Sequence, residues 1–357
     1  TEIFIMKTSY FALAVIGMGP FALGATAQAA DGAGSAASSN VAVYGVLDAG
    51  IVAERGCAAS CAGTKVSGGV ASGSRLGVQG REALGKDVSA VFTLEAGIQN
   101  DTGQSEDGRL FGRQAYVGLD SRLGALTLGR QYNLQYLALT DVADPFKGGM
   151  AGSAGNLAGY SVKRYDNTVK YVTPALRGVT ASAIYSFGES PYSSANNRAY
   201  GATLGYSAGA VNVSVSHQRK NNFILASGTL PAIDMSSRNT LIAANVDLKV
   251  ATAFAAVGVN KGYGSSPWDP NNAYSSLALS MSSSDSRDTL LGVSVPAGGV
   301  KLLASWVHKD DRDLANRDAT QVAVGLTYSL SRRSDFYASY AKIHNKNGAR
   351  YTVGNAS

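Results

Sequence analysis

The chain has 357 residues and a formal net charge of +6, with 45% hydrophobic and only 16% charged residues. Low charge with abundant Tyr (18) excludes a disordered chain, and two cysteines exclude a disulfide scaffold. A mean hydropathy of −0.01 cannot supply repeated apolar spans of about 20 residues, which excludes a polytopic helical membrane protein. High Gly (42) and low Pro (8) leave a large sheet protein with many turns. The basic balance carries no basic run and no basic-aromatic motif, so nucleic acid is not an expected partner.

At the N-terminus, Lys7 precedes an apolar, Ala-rich run from Tyr10 to Leu23, and Ala27-Gln28-Ala29 supplies the small residues that a signal peptidase reads. Residues 1–29, with a few residues upstream of Met6, are expected to be a cleaved secretory signal. The mature protein then works outside the cytoplasm.

Beyond residue 40 the dominant signal is period-2 alternation of apolar and polar residues. It is clearest in Val322-Val324-Leu326-Tyr328-Leu330, in Val179-Ala181-Ala183-Tyr185-Phe187 and in Val211-Val213-Val215. Strands are predicted near 41–53, 72–84, 87–97, 111–121, 124–132, 165–174, 178–188, 199–207, 210–218, 238–248, 250–261, 286–295, 299–308, 318–330 and 334–344. Their connections alternate between short (Gly85-Lys86, Ala208-Gly209, Pro296-Ala297-Gly298) and long (54–71, 98–110, 133–164, 189–198, 219–237, 262–285, 309–317). Sorting loops by length to opposite ends is the pattern of an all-β, transmembrane antiparallel β-barrel with about 15 of its strands in this chain. The aromatic strand ends at Tyr185, Phe187, Trp306, Tyr328 and Tyr340 suit interfacial girdles. The opposite face carries Asn, Ser, Thr, Gln and charge, as a wet lumen requires.

Several segments resemble a known family in order. Val43-Tyr44-Gly45-Val46-Leu47-Asp48, Ser74-Arg75-Leu76-Gly77, Leu110-Phe111-Gly112-Arg113-Gln114-Ala115-Tyr116-Val117-Gly118-Leu119, Leu126-Thr127-Leu128-Gly129-Arg130-Gln131, Asn167-Thr168-Val169-Lys170-Tyr171 and Ser334-Asp335-Phe336-Tyr337-Ala338-Ser339-Tyr340 are similar to Gram-negative general porins. The resemblance implies a sixteen-stranded outer-membrane barrel of the homotrimeric porin type, surrounded by lipid and lipopolysaccharide, passing small hydrophilic solutes and ions. It implies no cofactor. Residues 30–40 become a short periplasmic lead-in and 41–357 the barrel. The family ends in a terminal aromatic strand, whereas this chain stops at Gly354-Asn355-Ala356-Ser357; the expectation is a barrel truncated before its last strand.

The same resemblance marks the site. The third long loop, 133–164, is expected to fold into the barrel with Asp141, Asp144 and Lys147, the last two flanking Pro145-Phe146. It would face wall arginines at Arg75, Arg113 and Arg164. Arg75 has lumen parity because Leu76 and Val78 take the other face, and Arg164 shares parity with Asp166, Thr168 and Lys170. Lys163 and Lys170 add positive potential. Arg130 shares parity with Leu126 and Leu128, which points to a subunit contact near the rim. An arginine at mid-depth facing lipid costs about 2–4 kcal/mol, so lumen placement of the wall arginines is also the cheaper one. Wall arginines and net charge together predict a modest anion preference. The alternative is a substrate-specific anion or solute channel of the same architecture.

Cys57 and Cys61 fall in the first external loop, where a small disulfide is expected outside the cytoplasm; no His lies nearby to make a zinc site. An enzyme is not expected. The three histidines, His217, His308 and His344, form no nucleophile–base pair with a serine, and Ser305 lies on the face opposite His308.

Overall fold

The computed structural model of the chain describes residues 8–14, 17–18, 39–56, 63–191, 193–221, 223–224, 233–234, 236–265 and 283–353. Cys57 and Cys61, and the loop tips at Pro231 and Pro267-Trp268, lie outside the described residues.

Every strand expected from the alternation is present. After β1 (Thr8–Ala14), the first wall strand is bent into β2 (Asn40–Val46) and β3 (Ala49–Arg55). A short strand, β4 (Thr64–Gly68), folds back on β3 as a hairpin. Then follow β5 (Arg75–Ala83), β6 (Val88–Gln99), β7 (Gln114–Ser121), β8 (Gly124–Tyr132), β9 (Arg164–Val172), β10 (Val179–Ser186), β11 (Ala199–Ala208) and β12 (Val211–Lys220). The last six are β13 (Ser237–Asp247), β14 (Thr252–Gly262), β15 (Asp285–Ala297), β16 (Val300–Asp311), β17 (Ala319–Ser329) and β18 (Ser334–Asn345).

Each wall strand pairs antiparallel with its sequence neighbours, as short turns dictate. β2 pairs with β5, β3 with β1, and β1 with β18. The pairing therefore passes through the fifteen strands from residue 40 onward and returns to its start through Thr8–Ala14. The expected alternation of connections holds, with turns of two to six residues at one end and the longer segments at the other.

The faces are inverted relative to a water-soluble protein. Val43, Leu128, Ile242, Val257, Leu291 and Val324 point outward and are exposed, whereas Ser216, Asn239, Asn260, Ser286 and Gln321 on the other face are buried. An exposed apolar belt of this extent, around a polar interior, is what hydrocarbon selects. No helix among the described residues is long and apolar enough to cross a membrane; the strands alone present an apolar surface.

The buried apolar core lies inside the ring. Leu139, Ala143, Phe146, Met150 and Leu157 from the segment between β8 and β9 pack on Leu241, Leu290, Val307, Ala323 and Ile343 of β13–β18. That half of the wall is covered from within.

Val324 sits midway along β17 on the outward face. Replacing it with arginine is expected to cost about 2–4 kcal/mol, read as a lowered denaturant midpoint in lipid vesicles; an unchanged midpoint would show that this face does not meet hydrocarbon.

Candidate functional site

The long segment between β8 and β9 enters the ring as a short helix, Leu134–Leu137, capped by Asn133, whose Oδ1 accepts from the Tyr136 amide at 2.8 Å. A wider turn, Ala138–Ala143, follows. The segment then reverses at Pro145-Phe146-Lys147-Gly148-Gly149. Lys147, Gly148 and Met150 all have positive φ (51°, 75° and 55°).

Asp144 makes this reversal. Its carboxylate accepts from the amides of Phe146 (2.9 Å), Gly148 (3.0 Å) and Ala154 (2.8 Å). It is 1% exposed, and burial pushes its pKa up to about 6 despite those bonds. The expectation that Asp144 presents its charge to the lumen is therefore corrected: the three donors draw the carboxylate into the loop, where it holds the backbone. Asp141 does face the open space. It is solvent-accessible yet enclosed by the surrounding wall, and that enclosure raises its carboxyl pKa.

The loop is fastened to β13–β18 by hydrogen bonds to inward side chains. Ala151 donates to Ser339 Oγ (3.1 Å), Asn156 Nδ2 to Gln321 Oε1 (2.8 Å) and Gly159 to Asp288 Oδ2 (2.6 Å). Asp288 is matched by the fully buried Lys309 at 2.6 Å. Two wall glycines receive the loop tip. A Cβ on Gly325 would lie 2.7 Å from the Phe146 ring, and one on Gly292 2.8 Å from the Pro145 ring; a side chain at either position would displace the reversal.

Between the free side of this loop and β5–β9 lies an open cavity of about 410 Å³. Arg75, Arg113 and Arg164 line it from the wall side, Asp141 and Lys147 from the loop, and Lys163 from the loop's end. Six predicted residues thus come together. Arg130 and Lys170 do not line the cavity. The β8–β9 ladder is irregular at Gly129/Gln131 and Asn167 has φ 53°, so parity does not carry through residue 166. Asp166 instead accepts from Arg130 (2.7 Å) and Arg109 (2.8 Å).

Glu95, Glu106, Tyr132 and Tyr136 also line the cavity and were not predicted. Glu95 has inner parity on β6, and a charge at an inner position was its one signal. Arg113 spends its donors on three of these groups: Nε on Glu95 Oε1 (2.8 Å), Nη1 on Glu106 Oε2 (2.9 Å) and Nη2 on the Tyr132 hydroxyl (2.8 Å). Arg164 Nη2 donates to the same hydroxyl at 2.9 Å, and its guanidinium lies 4.6 Å from the Tyr132 ring centre. Burial alone would raise the Glu106 carboxyl, but the charges of Arg113 and Arg164 outweigh it and hold its pKa below the usual range. Arg75 is looser, with Nη1 on the Gly73 carbonyl (2.9 Å) and Nε 3.7 Å from Glu95.

The profile of the Gram-negative porin family matches residues 12–348. The chain belongs to the Gram-negative porin family. An outer membrane porin protein of Bordetella pertussis is 31% identical over 89% of this chain and 93% of its own length. The outer membrane porin protein 32 of Delftia acidovorans is 27% identical over 96% and 91%. Among solved structures, an anion-selective porin from Comamonas acidovorans superposes with a TM-score of 0.67 at 21% identity, covering 86% of this chain and all of that one. The trimer form of Vibrio cholerae OmpT has a TM-score of 0.58 at 14% identity, covering 87% and 100%. This porin is thus an outer-membrane protein.

Arg113 and Arg75 should separate on substitution. Arg113→Leu leaves the buried Glu95 with only the Tyr44 hydroxyl (2.8 Å) and the more distant Arg75 and is expected to cost about 3–5 kcal/mol, whereas Arg75→Gln should cost less than about 1 kcal/mol. Denaturant titration of the refolded porin measures both, and equal losses would contradict the assignment. Gly325→Val should leave the barrel folded but unseat the loop tip, seen as increased open-channel current noise; a variant trace as quiet as that of the wild type would rule that seating out.

Proposed function

We propose that this porin forms a water-filled channel for passive diffusion of small hydrophilic solutes and ions, with its narrowest point between the inward loop and the wall of β5–β9. One observation carries the reading. The cavity is lined by Arg75, Arg113, Arg164, Lys147 and Lys163 against Glu95, Glu106 and Asp141, five cations to three acids.

Two of the acids, Glu95 and Glu106, are spent on Arg113. The net positive lining attracts anions and raises the barrier to cations. The transverse separation of Asp141 from the wall arginines orients dipolar solutes, while apolar solutes must displace ordered water. The anion selectivity named for the Comamonas porin is in keeping with this sign. We extend the trimeric state named for the Vibrio cholerae structure to this chain as part of the same proposal.

Selectivity should follow from the lining cations outside the Arg113 ion-pair frame. Arg75→Gln with Lys147→Gln and Arg164→Gln is expected to move the zero-current potential in a salt gradient toward cation preference. The pH dependence has a definite sign. Burial raises the Asp141 pKa, so it takes up a proton before an exposed carboxylate would, while Glu106, lowered, stays ionised. Anion preference should therefore rise as pH falls below neutral, and Asp141→Asn should flatten that rise. A zero-current potential indifferent to the three substitutions would remove the proposed selectivity. Block of the current by one solute class alone would favour a substrate-specific channel instead.

A further inference from the structure

Tyr132 is the last residue of β8, and its side chain is the point on which two wall arginines meet. A phenol oxygen can accept from two donors. Here both are guanidinium N–H groups, Nη2 of Arg113 at 2.8 Å and Nη2 of Arg164 at 2.9 Å. The arginines come from separate segments: Arg113 precedes β7, and Arg164 opens β9 directly opposite Tyr132 in the ladder. Two cations drawn to one oxygen repel each other. A carboxylate at this point would hold them strongly and cancel their charge. A neutral hydroxyl still forms charge-assisted hydrogen bonds and cancels nothing.

The ring adds a second hold. The Arg164 guanidinium lies 4.6 Å from its centre, within the range of cation–π attraction. The same ring stacks on Tyr136 of the inward helix, with centroids 5.9 Å apart and planes 8° from parallel. Tyr136 meets Tyr160, further along the loop, edge-on at 5.4 Å. The arginine pair and the inward loop are thus joined through one aromatic row.

The two arginines do not depend on Tyr132 equally. Arg113 is also fixed by Glu95 and Glu106. Arg164 lies in the field of both neighbours, repelled by Arg113 and attracted by Glu106. Without the hydroxyl, Arg113 stays in place, whereas Arg164 is drawn onto the Glu106 carboxylate. One cation of the lining is then neutralised.

We propose that Tyr132 is a positioning residue for ion selectivity: its neutral hydroxyl holds Arg164 beside Arg113 at the cavity wall without spending the charge of either, and so sets the anion preference of the pore. This rests on the anion-biased channel proposed above.

The test compares zero-current potentials of the refolded porin in planar bilayers under a KCl gradient, for the wild type, Y132F, R164Q and Y132F/R164Q, with far-ultraviolet circular dichroism reporting the barrel of each. Phenylalanine keeps the ring, and with it the contacts to Arg164 and Tyr136, so Y132F removes the shared acceptor alone. Expected is a roughly twofold fall in the anion-to-cation permeability ratio of Y132F. Adding Y132F to R164Q should lower the ratio no further, because Tyr132 acts through Arg164. A fall as large in the R164Q background as in the wild type overturns the proposal, since Tyr132 would then act on the shape of the wall. A selective wild type with an indifferent Y132F overturns this inference alone. A wild type with no anion preference removes the proposed selectivity and this inference with it.

Discussion

A peptide group in hydrocarbon has no water to pair with, and each unpaired N–H or C=O costs several kcal/mol. Most of this architecture follows from that constraint. It demands a sheet without free edges, and the ladder here does pass through every wall strand back to the bend between β2 and β3. It also makes the alternation meaningful. With lipid outside and water inside, one parity of each strand must be apolar and the other is released to carry Ser, Asn, Gln and charge.

That released parity explains how a long loop can sit inside the ring. A loop brought into a dry core would strand its backbone groups. Here the inner wall supplies partners: Ser339, Gln321 and Asp288 receive or bracket the loop amides, and Asp144 satisfies three more from within. The apolar underside of the loop then buries Phe146 and Leu157 on β13–β18. The Asp288–Lys309 pair is the most enclosed ionic contact of this arrangement. Its worth is positional: the carboxylate can hold the Gly159 amide because Lys309 balances its charge. Covering one half of the wall leaves the open space against the other half, where the arginines are.

Legibility in the sequence followed the range of each interaction. Strand positions were readable because burial on one face imprints a period of two on adjacent residues, and loop sorting because turn lengths are local. Arg75, Arg113 and Arg164 were readable through motif order, and they do converge. The inward turn of Asp144 was not, since an acid in a loop reads the same whether it faces water or its own backbone; its spacing to the amides of Phe146 and Gly148 is the local trace it left. Parity placed Arg164 and Asp166 together, and the irregular β8–β9 ladder separated them. Such an irregularity depends on both strands and leaves little mark on either. Tyr132, shared by Arg113 and Arg164, was invisible for the same reason: its role exists only once two arginines from distant segments meet over it.

The cavity lining therefore divides its charges between two tasks. Arg113 is nearly saturated by Glu95, Glu106 and Tyr132, so it fixes the distance between wall strands and the loop before β7, and its charge is largely balanced on the spot. Arg75 and Lys147 are held more loosely and leave more of their charge facing the open cavity. A lining built only from saturated pairs would be rigid and nearly neutral; one built only from unpaired cations would repel itself apart. Combining a buried ion-pair frame with a few accessible cations gives the cavity a fixed shape with a net positive lining, which is the arrangement the proposed passive, charge-biased diffusion requires.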